Sequence, residues 1–75
     1  MTDDEKAKIL CHLRWSLIGI KVKLKKFKNV ISEADMDEVE LSIDTADFYI
    51  RNEAISRIQE ELDNAVQILT KYRDS

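Results

Sequence analysis

From Leu10 onward, apolar residues recur at Leu13, Leu17, Ile20, Leu24, Phe27 and Ile31, spaced by three and four without a break. That spacing keeps side chains on one stripe of an α-helix and is the a/d seam of a helix packed lengthwise on another. A seam over roughly six turns commits the chain to helix–helix packing, and a first helix is expected over about residues 3–30. Its start is marked by Thr2-Asp3-Asp4-Glu5, a capping box with Thr2 as N-cap and Glu5 three residues on. The acidic residues there also complement the positive end of the helix dipole. With no proline and only Gly19 as glycine in 75 residues, the usual means of breaking a helix are nearly absent.

One shorter pattern competes. Ile18, Ile20, Val22 and Leu24 alternate with Gly19, Lys21 and Lys23, the period of a β-strand. A strand followed by two helices would suggest a ribbon-helix-helix DNA binder. The helical seam begins well before this stretch and runs through it, so helix is the expectation.

Asn29 suits the end of the first helix, because it tolerates the left-handed conformation better than most residues. Ser32-Glu33-Ala34-Asp35 is an N-cap followed by an acidic third residue, so a second helix is expected from about residue 33. Its first part uses Met36, Val39, Ile43, Ala46 and Ile50; its last uses Ile55, Ile58, Leu62, Ala65, Leu69 and Tyr72. The two registers do not join, since Ile50, Ala54 and Ile58 are linked by successive steps of four. Such a discontinuity is either a stutter in one helix over about 33–72 or a break near 51–53, where Asn52 offers a cap.

The expected fold is therefore all-α, with residues 1–75 as a single domain. It is an antiparallel helical hairpin that either dimerises into a bundle or, with the second helix broken, closes as a three-helix bundle. The unbroken hairpin in a dimer is the arrangement favoured at this level. Its second helix would span about 60 Å against about 40 Å for the first, leaving an overhang for a partner to cover.

The first helix also carries a second apolar stripe, Cys11, Trp15, Ile18 and Val22, centred away from the seam with Arg14 and Lys21 between the two. One antiparallel neighbour covers one seam only. The second stripe needs a third helix, a second copy of the chain or another protein. Phe48, Tyr49 and Ile50 are a consecutive apolar run that no single helix face can bury. Trp15 and Tyr49 are of the residue types favoured as interface anchors.

Charge is arranged in blocks. Lys21, Lys23, Lys25, Lys26 and Lys28 precede the corner, and Glu33, Asp35, Asp37, Glu38, Glu40, Asp44 and Asp47 follow it with no lysine or arginine among them. As a basic helical patch, the lysines would bind phosphates of RNA or DNA. As a structural pattern, they face the carboxylates across the corner of the hairpin, each block at its favourable dipole end. The formal net charge of −3 gives no global attraction to nucleic acid or anionic lipid, which favours the structural reading.

Nothing in the chain points to catalysis, so no catalytic residue, metal ligand or cofactor is expected and the protein is read as not an enzyme. Cys11 and His12 are sequence neighbours, about 100° apart on a helix, and do not face each other as a catalytic pair must. Asp35-Met36-Asp37-Glu38-Val39 begins like a calcium loop, but the sixth position, which needs glycine, is Glu40. The longest uninterrupted apolar runs are three residues, far short of a membrane span. The acidic start is unlike a signal peptide, so a cytoplasmic location is expected.

These features lead to a small interaction module, an adaptor, chaperone or inhibitor, that binds a protein partner or its own copy in a homodimer. The expected binding residues are Cys11, Trp15, Ile18, Val22, Phe48 and Tyr49. The alternatives are a nucleic-acid-binding hairpin dimer that uses Lys21–Lys28, and a purely structural homo-oligomer.

Overall fold

In a computed structural model, which describes residues 2–72, the chain forms three helices: α1 (Asp3–Lys26), α2 (Glu33–Arg51) and α3 (Ile55–Thr70). Both expected N-caps form. Thr2 Oγ1 accepts the Glu5 amide proton at 3.2 Å, and Ser32 Oγ accepts that of Asp35 at 3.2 Å. The stretch that alternates like a strand, Ile18–Leu24, lies within α1. The helices run up, down and up. Lys6 near the start of α1 pairs with Glu53 in the α2–α3 junction at 3.2 Å, and Tyr72 after α3 meets Ser32 at the start of α2.

The second helical segment is broken, so the chain takes the three-helix arrangement and not the long hairpin. The register explains why. Steps of four overshoot one helical turn by about 40° each, so a straight helix would turn the stripe after Ile58 well away from the stripe before Ile50. Breaking at Asn52–Ala54 brings both stripes onto one core. Val39, Ile43, Ala46 and Ile50 of α2 and Ile58, Leu62, Ala65, Ile68 and Leu69 of α3 are buried with Leu10, Leu13, Leu17 and Ile20 of α1. Leu24, Phe27 and Ile31 continue the α1 seam at the open end, half-buried against that core.

The break is a Schellman turn. The Glu53 amide donates to Ile50 O at 3.1 Å and the Ala54 amide to Tyr49 O at 3.0 Å. Asn52 caps the end of α2, with Nδ2 donating to Phe48 O at 2.8 Å; it does not cap the start of α3. That start, at Ala54, has no side-chain cap. The residue after Asn52 must be left-handed, and it is Glu53, at φ 57°. Glycine is the residue that normally fills this place, since a Cβ is strained there. Glu53→Gly is therefore expected to raise stability by about 0.5–1 kcal/mol, after allowing for loss of the exposed Lys6 pair. The midpoint of urea unfolding measures it, and a lower midpoint would show that the side chain contributes more than its backbone strain costs.

The first corner differs from expectation too. α1 ends at Lys26, not near residue 30, and Phe27 O accepts both the Val30 and Ile31 amides at 2.9 Å. This succession of tight turns needs no left-handed residue, and Asn29 does not adopt that conformation.

The opposite ends of the chain's polar contacts converge on Asp35. The Tyr72 hydroxyl donates to Asp35 Oδ2, accepts from the Ser32 amide at 3.2 Å, and lies 3.3 Å from Ser32 Oγ. Lys71 Nζ stands 3.8 Å from the other carboxylate oxygen. The Tyr72 hydrogen bond, aided by Lys71 and Ser32 and opposed by partial desolvation, holds the Asp35 carboxyl below its ordinary 3.8. A folded pKa below the unfolded one stabilises the fold above the unfolded value, and that contribution is lost as pH falls through the folded value. Tyr72→Phe is thus expected to lower stability at neutral pH and move the Asp35 titration, followed by carboxyl NMR, back up toward 3.8. An unchanged titration would remove this contact as the cause. Deeper between α2 and α3, Asn64 Nδ2 donates to the buried Ser42 Oγ at 2.9 Å.

Candidate functional site

The bundle closes its core without the second stripe of α1. Turning about 100° per residue, the seam from Leu10 to Leu24 and the stripe Cys11, Trp15, Ile18 and Val22 lie roughly 150° apart on the helix. Both α2 and α3 pack on the seam side. The third helix therefore shares the seam with α2 and leaves the stripe uncovered. Trp15 is 68% exposed, Ile18 47% and Val22 61%, and Cys11 is an exposed free thiol. Single exposed apolar residues are ordinary, but four on one helical line over three turns form a continuous strip.

The two aromatic residues of α2 are separated by their position on the helix. Phe48 is 60% exposed on the outer face, whereas Tyr49 is half-buried against the core. Arg57 lies over the Tyr49 ring, with Cζ 5.9 Å from its centroid, and Phe48 meets that ring edge-on at 5.8 Å. Tyr49 thus joins α2 to α3, while Phe48 remains outside. Leu41 is also exposed, at 66%. It stands seven residues before Phe48 and so on the same side of α2. Sequence reading passed over Leu41; the signal was its spacing from Phe48, out of phase with the Val39–Ile50 seam.

Consecutive residues of a helix point in all directions, and the lysine block is divided accordingly. Lys21, Lys25 and Lys28 line a shallow groove between α1 and α2, with Glu40 and Asp44 on its other side. Lys23 lines the opposite groove, between α1 and α3. Lys26 lies on neither. Lysines and carboxylates do share the α1–α2 groove, but the expected pairing across the corner stops short of contact. Among the described residues the ion pairs are Lys6–Glu53, Arg51–Asp47 and Lys71–Asp35, and none uses the five lysines.

His12 faces the α1–α3 groove, and Cys11 the groove near Glu53. They do not form a pair. No helix of the described residues is long and apolar enough to cross a membrane. No family model matches the chain, and neither a curated protein nor a solved structure shows significant similarity to it.

Proposed function

We propose that the chain is a non-enzymatic interaction module that binds a protein helix along the outer face of α1. The observation that carries this reading is the exposure of Trp15, Ile18 and Val22 on a bundle whose core is already complete without them. Residues at intervals of four, three and four are the spacing by which one helix face grips another. Trp15 at the middle of the strip has the size and rigidity of an interface anchor. Phe48 and Leu41 offer a second exposed apolar patch on the outer side of α2, where Tyr49 meets the Phe48 ring edge-on. The role of such a module is that of a cytoplasmic adaptor, chaperone or inhibitor.

Capture experiments with the immobilised chain and its Trp15→Ala variant test this. Proteins retained by the first and lost from the second are the expected result. An identical retained set would end the reading.

A second reading, nucleic-acid binding by Lys21, Lys23, Lys25, Lys26 and Lys28, is favoured by one observation: none of these lysines is held in an ion pair among the described residues. Against it stand their dispersal around α1 and the nearby Glu40 and Asp44. A gel shift with mixed RNA and DNA at low salt, where phosphate binding is strongest, removes it if no retardation appears.

A further inference from the structure

The helix best suited to the outer face of α1 is α1 itself. We infer that two copies of the chain pair through Cys11, Trp15, Ile18 and Val22 with their first helices antiparallel about a two-fold axis. This rests on the proposal above that the face binds a helix, and it names the partner.

Charge distribution selects that partner and that direction. α1 carries Asp3, Asp4 and Glu5 in its first turn and Lys23, Lys25 and Lys26 in its last, with Lys28 just beyond. A two-fold axis through the middle of the strip, between Trp15 and Ile18, sets Cys11 of one copy against Val22 of the other. The same register brings Asp4, which lies on the strip side of α1, within a turn of Lys25 and Lys26 of the other copy. Each end of the pair then joins an acidic cluster to a basic one, and the helix dipoles oppose. Lys8 falls opposite Lys25, a like-charged pair, with Asp4 one turn from Lys8 to offset it. Parallel pairing would instead set acid on acid at one end and lysine on lysine at the other.

Gly19 is the second observation. It is exposed in the middle of α1, its φ is not positive, and a Cβ built on it meets no atom within 4 Å. Glycine weakens a helix interior, and nothing within the bundle requires it there. Four residues after Trp15, Gly19 borders the strip. In the antiparallel register it falls opposite Arg14 of the second copy and one position from Trp15, where a missing side chain leaves room beside the indole.

The cysteine already present reports the geometry. In the antiparallel pair two Cys11 residues stand eleven helical positions apart, about 16 Å along the axis, out of reach of a disulfide. Cys11 and position 22 are opposite each other. Mild oxidation of Val22→Cys is therefore expected to give a covalent dimer, while the unsubstituted chain and Cys11→Ser/Val22→Cys give none. A covalent dimer from the unsubstituted chain, with no gain from Val22→Cys, would place the two Cys11 residues together and overturn the inference.

Light scattering after size exclusion, from dilute to concentrated protein, supplies the reversible measurement. The expected result is a rise from monomer to dimer mass, weaker at high salt, and lost in both Trp15→Glu and Gly19→Leu while their circular dichroism stays that of the folded chain. Monomer mass at every concentration would overturn self-pairing, as would a dimer unaffected by both substitutions. Neither result touches the wider proposal, which fails only if Trp15→Ala captures the same proteins as the unsubstituted chain.

Discussion

Ile58→Ala is expected to lower the stability of the bundle by about 2–5 kcal/mol, the range for truncating a large aliphatic side chain in a packed core. Ile58 has no exposed surface and is one of the two largest side chains buried to that degree, Val39 being the other. It sits at the place where the two registers of the chain are brought together, one turn into α3, and it answers Ile50 across the Asn52–Ala54 break. Removing it leaves a void beneath a junction whose Glu53 backbone is already strained, so little relaxation is available to fill it. Chains of 75 residues have a total stability on the order of 4–11 kcal/mol at 0.05–0.15 kcal/mol per residue. The substitution thus removes a large part of it. Urea unfolding followed by circular dichroism measures the loss, and Ile58→Val, at about 0.5–1.5 kcal/mol, provides the graded control. A loss below about 1 kcal/mol for the alanine variant would mean that α3 does not seat as described.

Trp15→Ala should do the reverse. At 68% exposure the indole contributes little to the monomer, and folding stability is expected to change by no more than about 0.5 kcal/mol. Binding through the outer face of α1 is expected to weaken by about 2 kcal/mol or more, roughly thirtyfold. Titration calorimetry with a captured partner, run beside the unfolding measurement on the same preparation, separates the two effects. A variant that unfolds early yet binds normally would place Trp15 in the core and sink the assignment.

Local signals were the most legible part of the fold. Thr2 and Ser32 cap the helices they were expected to cap, because a cap depends on a few neighbouring residues and little else. The α1 seam from Leu10 to Ile20 is buried as its spacing requires. The break was visible only as an ambiguity, since a stutter and a break leave the same steps of four. What decides it is the position of α1, whose seam accepts α2 and α3 together only if both stripes face one way. No glycine announces the turn, because Glu53 takes the left-handed place at a cost in strain. Asn52 was legible as a cap at the junction, and the structure shows that it serves the end of α2.

Contacts between distant segments were the least legible. Nothing in the spacing of Tyr72 separates a seam residue from one whose hydroxyl reaches back to Asp35 and Ser32. The acidic and basic blocks suggested contact across the corner, and the helix instead spreads neighbouring lysines around its circumference. Of the candidate binding residues, Cys11, Trp15, Ile18, Val22 and Phe48 lie on the surface, while Tyr49 is half-buried under Arg57. The surplus stripe could be read from sequence because its residues are out of phase with the seam. That it would remain uncovered could not be, since three helices can be arranged to bury either side of α1.

The unequal sharing of the core among the helices has a kinetic side. α2 and α3 pack most extensively, and only Asn52, Glu53 and Ala54 join them, whereas α1 makes fewer contacts with either and is joined through residues 27–32. Short closures and dense local contacts favour early formation, so the α2–α3 pair is expected to form first and α1 to dock on it, with the reverse order in unfolding. On that expectation a ligand bound to the strip around Trp15 restrains the helix whose departure begins unfolding.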